Sequence, residues 1–143
     1  MAIKPKTVRQ FLRVALAAFI LLCAAVFISF IYEYKEDISN KEPYSKCINT
    51  PITLKDVATI RWSDTNLRFS HYSLVLNEAS DYDTDEVKSV KVYQPDETIT
   101  FFAAKSYTSM HVGTTYYLIG RDTLDTGEII DFEYYYSEGV PPF

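Results

Sequence analysis

VALAAFILLCAAVFISFIY, Val14 to Tyr32, runs for 19 residues without a charged residue, a glycine or a proline. As an α-helix it spans about 28 Å, close to the roughly 30 Å hydrocarbon core of a bilayer. On its N-terminal side stand Lys4, Lys6, Arg9 and Arg13, with no acid among them. The other ten Lys and Arg and all nineteen Asp and Glu follow the run, so the remainder carries a net charge of about −9. Basic flanks stay on the cytoplasmic side of an inserted helix. The expectation is one transmembrane α-helix with the N-terminus inside, followed by a small extracytoplasmic domain. Residues 1–13 then form a basic cytoplasmic tail, 14–32 a signal-anchor helix, 33–51 a juxtamembrane helix and linker, and 52–143 the domain.

A cleaved signal peptide competes with this reading. Its apolar core is usually shorter, about 7–15 residues. The small-x-small site Cys23-Ala24-Ala25 lies inside the apolar run instead of after it. A lipoprotein anchored at Cys23 would need a small residue where Leu22 stands. The acidic balance beyond the run argues against nucleic acid, whose binding depends on cationic contacts to phosphate. Within the run, Ala15, Ala18, Leu22, Ala25 and Ser29 fall on one helical face. Small residues let helices approach closely in lipid, where packing drives association. That face is a candidate packing surface, and a lipid-facing Ala-rich helix is the alternative.

Beyond Tyr32 the residues are polar. They suggest a helical continuation to about Asn40, ended before Pro43, and then a linker. Thr53-Leu-Lys-Asp56 has the form of a capping box opening one helical turn. From Val57 apolar residues alternate. Ala58 to Trp62, Leu67 to Leu76, Val87 to Tyr93, Thr98 to Ala104, Thr114 to Gly120 and Glu128 to Tyr136 all read as strands. In the last, Ile130, Phe132, Tyr134 and Tyr136 share one face, opposite Asp131 and Glu133. Six short strands imply a small all-β domain, an antiparallel barrel or sandwich. The chain ends Gly139-Val-Pro-Pro-Phe143, which reads as a frayed or partner-docked tail.

Chemistry-bearing patterns are sparse. Asp81, Asp83 and Asp85 alternate as in calcium loops, but Glu86 stands where such a loop needs glycine, so a solvated acidic loop is expected. Leu124-Asp-Thr-Gly127 resembles the tetrapeptide around the catalytic aspartate of retroviral-type aspartic proteases, and Leu118-Ile-Gly-Arg121 a later segment of them. Here the order is reversed and the segments adjoin, which reads as a hairpin loop. His71 and His111 are the only histidines. Ser70 and His71 are adjacent and would point to opposite faces of a strand. No nucleophile, metal-ligand or phosphate-loop pattern occurs, so no catalytic, cofactor or metal residue is assigned and no enzyme is expected. Cys47 is a thiol that Cys23 in the helix cannot reach. It is either a small apolar packing residue or a candidate for an intermolecular disulfide.

All twelve tyrosines lie from Tyr32 onward. Consecutive tyrosines on a strand present both faces, and Tyr suits interfaces because its ring is apolar and its hydroxyl stays wet. Tyr117 and Tyr135, with Asp81, Asp83 and Asp85 steering a basic partner, are the candidate contacts. The resulting expectation is a membrane-anchored protein-binding module in a bacterial inner membrane, with its domain in the periplasm. It would be an accessory or assembly subunit of an envelope complex. An immunity or inhibitor protein against a toxin or lytic enzyme, and a small ligand-binding barrel or enzyme, are the alternatives.

Overall fold

A computed structural model describes residues 5–78 and 81–136, and Gly139–Phe143 lies outside the described residues. α1, Pro5–Ile31, is one helix, and its stretch Val8–Ile31 is long and apolar enough to cross a membrane. None of that stretch is buried, and its one ring contact with the domain among the described residues is Phe30 against His111. Phe11 and Leu21 are 73% and 71% exposed, so the helix contributes nothing to the domain's core.

The helix does not continue past the apolar run. β1, Glu33–Asp37, follows after Tyr32 alone, where a helical continuation was expected. The polar residues that looked helical are used as an edge strand, whose outward side chains need no core. After a short 3-10 turn at Tyr44–Lys46 comes β2, Pro51–Thr53. The Thr53–Asp56 segment therefore starts as strand and opens no helix. Its Leu54 amide and carbonyl are used instead by Glu97 and Asp96.

The six expected strands are all present: β3 Ala58–Ser63, β4 Tyr72–Leu76, β5 Val87–Tyr93, β6 Thr98–Ser109, β7 Gly113–Thr123 and β8 Ile129–Tyr136. β4 is shorter than the pattern suggested because Leu67 to Ser70 belong to a loop. The strands form one sheet in the order β1-β6-β7-β8-β4-β3-β5, with β2 pairing β6 off that path. This is neither a two-sheet sandwich nor a closed barrel. It consists of two antiparallel groups, β1-β6-β7-β8 and β4-β3-β5, which meet where β4 runs parallel to β8. Period-two alternation identifies the strands but carries no record of how two such groups dock.

The sheet curls around its core. Ala58, Ile60, Leu74, Tyr93, Ile99, Phe101, Leu118, Ile130, Phe132 and Tyr134 all point inward from six strands, and Ile38, Tyr44, Leu54 and Ala104 complete the cluster. Phe101 and Phe132 meet edge to face at 6.0 Å, a favoured aromatic geometry. Gly120 pairs directly with Phe132, and a Cβ there would stand 2.2 Å from the ring. Only glycine leaves the space that Phe132 fills. Gly127, at φ +84°, closes the β7–β8 turn, where its amide donates to the Leu124 carbonyl. The protease-like tetrapeptide is therefore that turn, with Asp125 exposed.

Candidate partner-binding face

The seam between the two strand groups is the least complete part of the sheet. β4 pairs with β3 along all five of its residues, from Tyr72↔Trp62 to Leu76↔Ala58. Toward β8 its ladder holds only Tyr72↔Phe132 and Ser73↔Glu133. Beyond that point β4 and β8 enclose a groove of about 360 Å³, lined by Ser73, Leu74, Val75, Leu76, Glu133, Tyr134 and Tyr135. Its walls are largely apolar, and Glu133 stands where the ladder ends.

The two tyrosine candidates are separated by burial. Tyr117 is only 6% exposed. It belongs to a second cluster with Ala103, Tyr107, Ile119 and Phe69 on the outer side of the sheet. Tyr117 therefore cannot meet a partner directly. Its ring lies edge-on to Phe69 at 5.3 Å and 5.5 Å from the ring of Tyr135. Tyr135 is 52% exposed and rests on this support at the mouth of the groove.

What covers Tyr117 is the β3–β4 loop, and a carboxylate holds that loop down. The backbone amides of Phe69, Ser70 and Arg68 donate to Glu133 Oε2 at 2.6, 3.1 and 3.3 Å. Lys35 Nζ donates to the Arg68 carbonyl at 2.7 Å, and Lys35 and Lys105 lie about 5 Å over the Phe69 ring. Arg68 stacks at 4.3 Å on Tyr107. Burial is the dominant influence on Glu133 and pushes its pKa up, and the three amides and Arg68 offset only part of it. Alternation puts Glu133 on the strand face opposite Phe132 and Tyr134. Alternation identifies a face, and a loop about 65 residues earlier in the chain decides whether that face is covered.

A second polar cluster lies where β5 approaches β7, strands that are not neighbours in the sheet. Lys91 Nζ reaches Asp122 Oδ2 at 2.6 Å, and the Tyr93 hydroxyl donates to the same oxygen. A cleft of about 440 Å³ opens here, bordered by Glu97 and Arg121. Burial pushes the Asp122 pKa upward, but the bonds from Lys91, Tyr93 and the Thr123 amide outweigh it and hold the carboxyl below its ordinary value. Burial and the adjoining Asp122 together push the Tyr93 phenol far up. This cluster satisfies its own charges.

The remaining candidates are not brought together. Asp81, Asp83 and Asp85 are exposed in a tight loop in which the Ser89 and Tyr82 backbones and the Thr84 hydroxyl make the turn. Among the described residues no three His, Cys, Asp or Glu side chains gather as a metal site. The Ser70 hydroxyl donates to the Asp131 carbonyl at 2.5 Å, while the His71 ring bonds Ser63 at 3.0 Å, so the two do not act on each other. His111 stacks against Phe30. Cys47 is half-buried against the core, and burial followed by the Glu42 charge raises its thiol pKa. Ala15, Ala18, Leu22 and Ala25 are exposed on α1, and the Ser29 hydroxyl donates to the Val26 carbonyl at 2.7 Å, which keeps that face small.

The edge of β4, the apolar groove and Tyr135 together can accept an extended backbone and grip its side chains. Comparison with protein-family models, curated proteins and solved structures gives no match.

Proposed function

We propose that this chain is a single-span, membrane-anchored protein-binding module, an accessory or assembly subunit of an envelope membrane complex. Its N-terminus lies in the cytoplasm and its β domain outside, in a bacterial inner membrane with the domain in the periplasm. The apolar, uncovered helix and the purely basic segment before it support that placement. The observation that carries the binding role is the β4–β8 seam. β4 offers most of one edge, Leu74–Leu76, beside an apolar groove and an exposed tyrosine. A partner's extended segment adds to that edge by main-chain hydrogen bonds, while side-chain pockets in the groove give specificity.

Affinity purification of the full chain in gentle detergent, read by mass spectrometry, tests this. Stoichiometric membrane partners are expected, and they are lost with Val75→Lys, which puts a charge on the groove wall while leaving the core alone. If Val75→Lys keeps them and Ala25→Leu loses them, the helix face is the docking surface. A stable monomer with no partner overturns the binding role.

A further inference from the structure

We propose that the β6–β7 turn, Met110-His111-Val112, is a second membrane contact, seated in the headgroup–acyl boundary of the leaflet from which α1 emerges. The proposal rests on the reading that α1 spans the bilayer. The connectivity leaves the turn little freedom. A single residue, Tyr32, separates the last residue of α1 from the first of β1. Glu33, the first residue of β1, pairs with Ser109, the last of β6. The turn that follows Ser109 is thereby tied to the level at which the helix ends. Its position agrees, since the His111 ring lies 5.0 Å from that of Phe30, in the last helical turn.

The turn is also apolar where water would favour polar residues. Met110 and Val112 are 64% and 52% exposed. Tyr32 and Tyr34, 58% and 47% exposed, flank Glu33 at the start of β1, where Tyr34 pairs with Thr108. Amphipathic aromatic rings at this depth are what a bilayer interface favours. Two exposed apolar side chains in one turn beside a spanning helix gain burial by entering the acyl boundary. The occupant is lipid and not a protein surface, because the turn meets the end of the helix itself, His111 against Phe30, where Phe30 and Ile31 are exposed. No Lys or Arg lies in the turn, and Glu33 faces it across the ladder, so the contact needs apolar depth and no anionic headgroup. Two anchoring points, helix and turn, fix the tilt of the sheet and hold the β4–β8 groove at a constant attitude to the membrane.

Nitroxide labels on the full chain in phosphatidylcholine nanodiscs test this, with oxygen and a water-soluble nickel chelate as relaxants. The label is placed at Val112→Cys or Met110→Cys in a Cys23→Ala, Cys47→Ala background. Asp125→Cys, at the far end of β7 roughly 30 Å along the strand, is the aqueous control. A third sample keeps Cys23 as the only thiol, within the helix. An oxygen-to-nickel accessibility ratio several-fold higher at Val112 and Met110 than at Asp125 is expected. Turn labels that read like Asp125, with Cys23 still shielded from nickel, overturn the turn contact and leave the span standing. A Cys23 label open to nickel overturns the spanning reading and the turn contact with it.

Discussion

Where β5 approaches β7 the strands share no ladder, yet Lys91 and Tyr93 both reach across to Asp122. Where β4 meets β8 the strands are ladder neighbours, yet only two residue pairs are in register and a groove follows. One seam is closed by side chains without backbone, and the other is left ajar by backbone that diverges. The difference lies in what each seam does with its polar groups. Asp122 is bonded by an ammonium, a phenol and the Thr123 amide, so its charge has little left to offer a ligand. The β4 edge beyond Ser73 has main-chain groups and apolar walls, which are the means of recognising another strand. A curled sheet made of two docked groups needs one seam tight enough to hold them and tolerates one that is not.

Phe132 underlies both seams, and removing it should be the largest blow. It is 1% exposed, pairs with Tyr72 across the open seam and borders the cleft at the bridged one. Phe132→Ala should cost about 3–5 kcal/mol in chemical denaturation, because a ring-sized cavity opposite Gly120 has no neighbour able to fill it. A loss below about 1 kcal/mol would mean that the two groups do not share one core.

Asp122→Ala should cost less, about 2 kcal/mol, since it strips a charge-assisted bond from a half-buried ammonium and a buried phenol. The loss should be concentrated at β5, with faster amide exchange along Val87–Tyr93 while β7 and β8 keep their protection. The pH behaviour gives a further check. Asp122 is held below its ordinary value, so its stabilisation is present above the ordinary aspartate range and is lost as pH falls through the lowered folded value. The wild type should therefore lose stability on acidification that Asp122→Ala does not lose. Parallel acid profiles would show the bridge to be idle.

The two seams were unequally legible in the sequence. All six expected strands can be read from alternation, because side chains on a pleated strand declare their face. The inward row Ile130, Phe132 and Tyr134 is core as its spacing implied. β1 was hidden because an edge strand with Glu33, Lys35 and Asp37 outward carries no apolar alternation. The seams themselves were hidden for a different reason. Asp122 and Lys91 are 31 residues apart and Glu133 is about 64 from the amides it holds, so neither relation has a local pattern. Tyr117 and Tyr135 look alike in sequence, and only the loop folded over Tyr117 distinguishes them.

Glu133 offers the finest test, because it sits in the last registered pair before the groove and holds the loop that covers Tyr117. Burial keeps its pKa above the ordinary glutamate value. The folded protein therefore binds this proton more tightly than the unfolded chain does. Between the ordinary and the raised value folding takes up a proton, so stability falls as pH rises through that window. Glu133→Gln keeps an oxygen for the Arg68, Phe69 and Ser70 amides but cannot titrate. Below the glutamate range, where Glu133 is a neutral carboxyl, the variant should lie close to the wild type, since the amide oxygen accepts from the same three donors at least as well as a carboxyl carbonyl does. As pH rises through the window the wild type should decline below the variant, whose own profile stays flat there. Denaturation of both proteins across that range, with amide exchange at Phe69 and Ser70, reads the effect directly. A gap between them that is constant with pH would mean that the loop is held by Lys35 and the Phe69 stack, with Glu133 a bystander at the mouth of the groove.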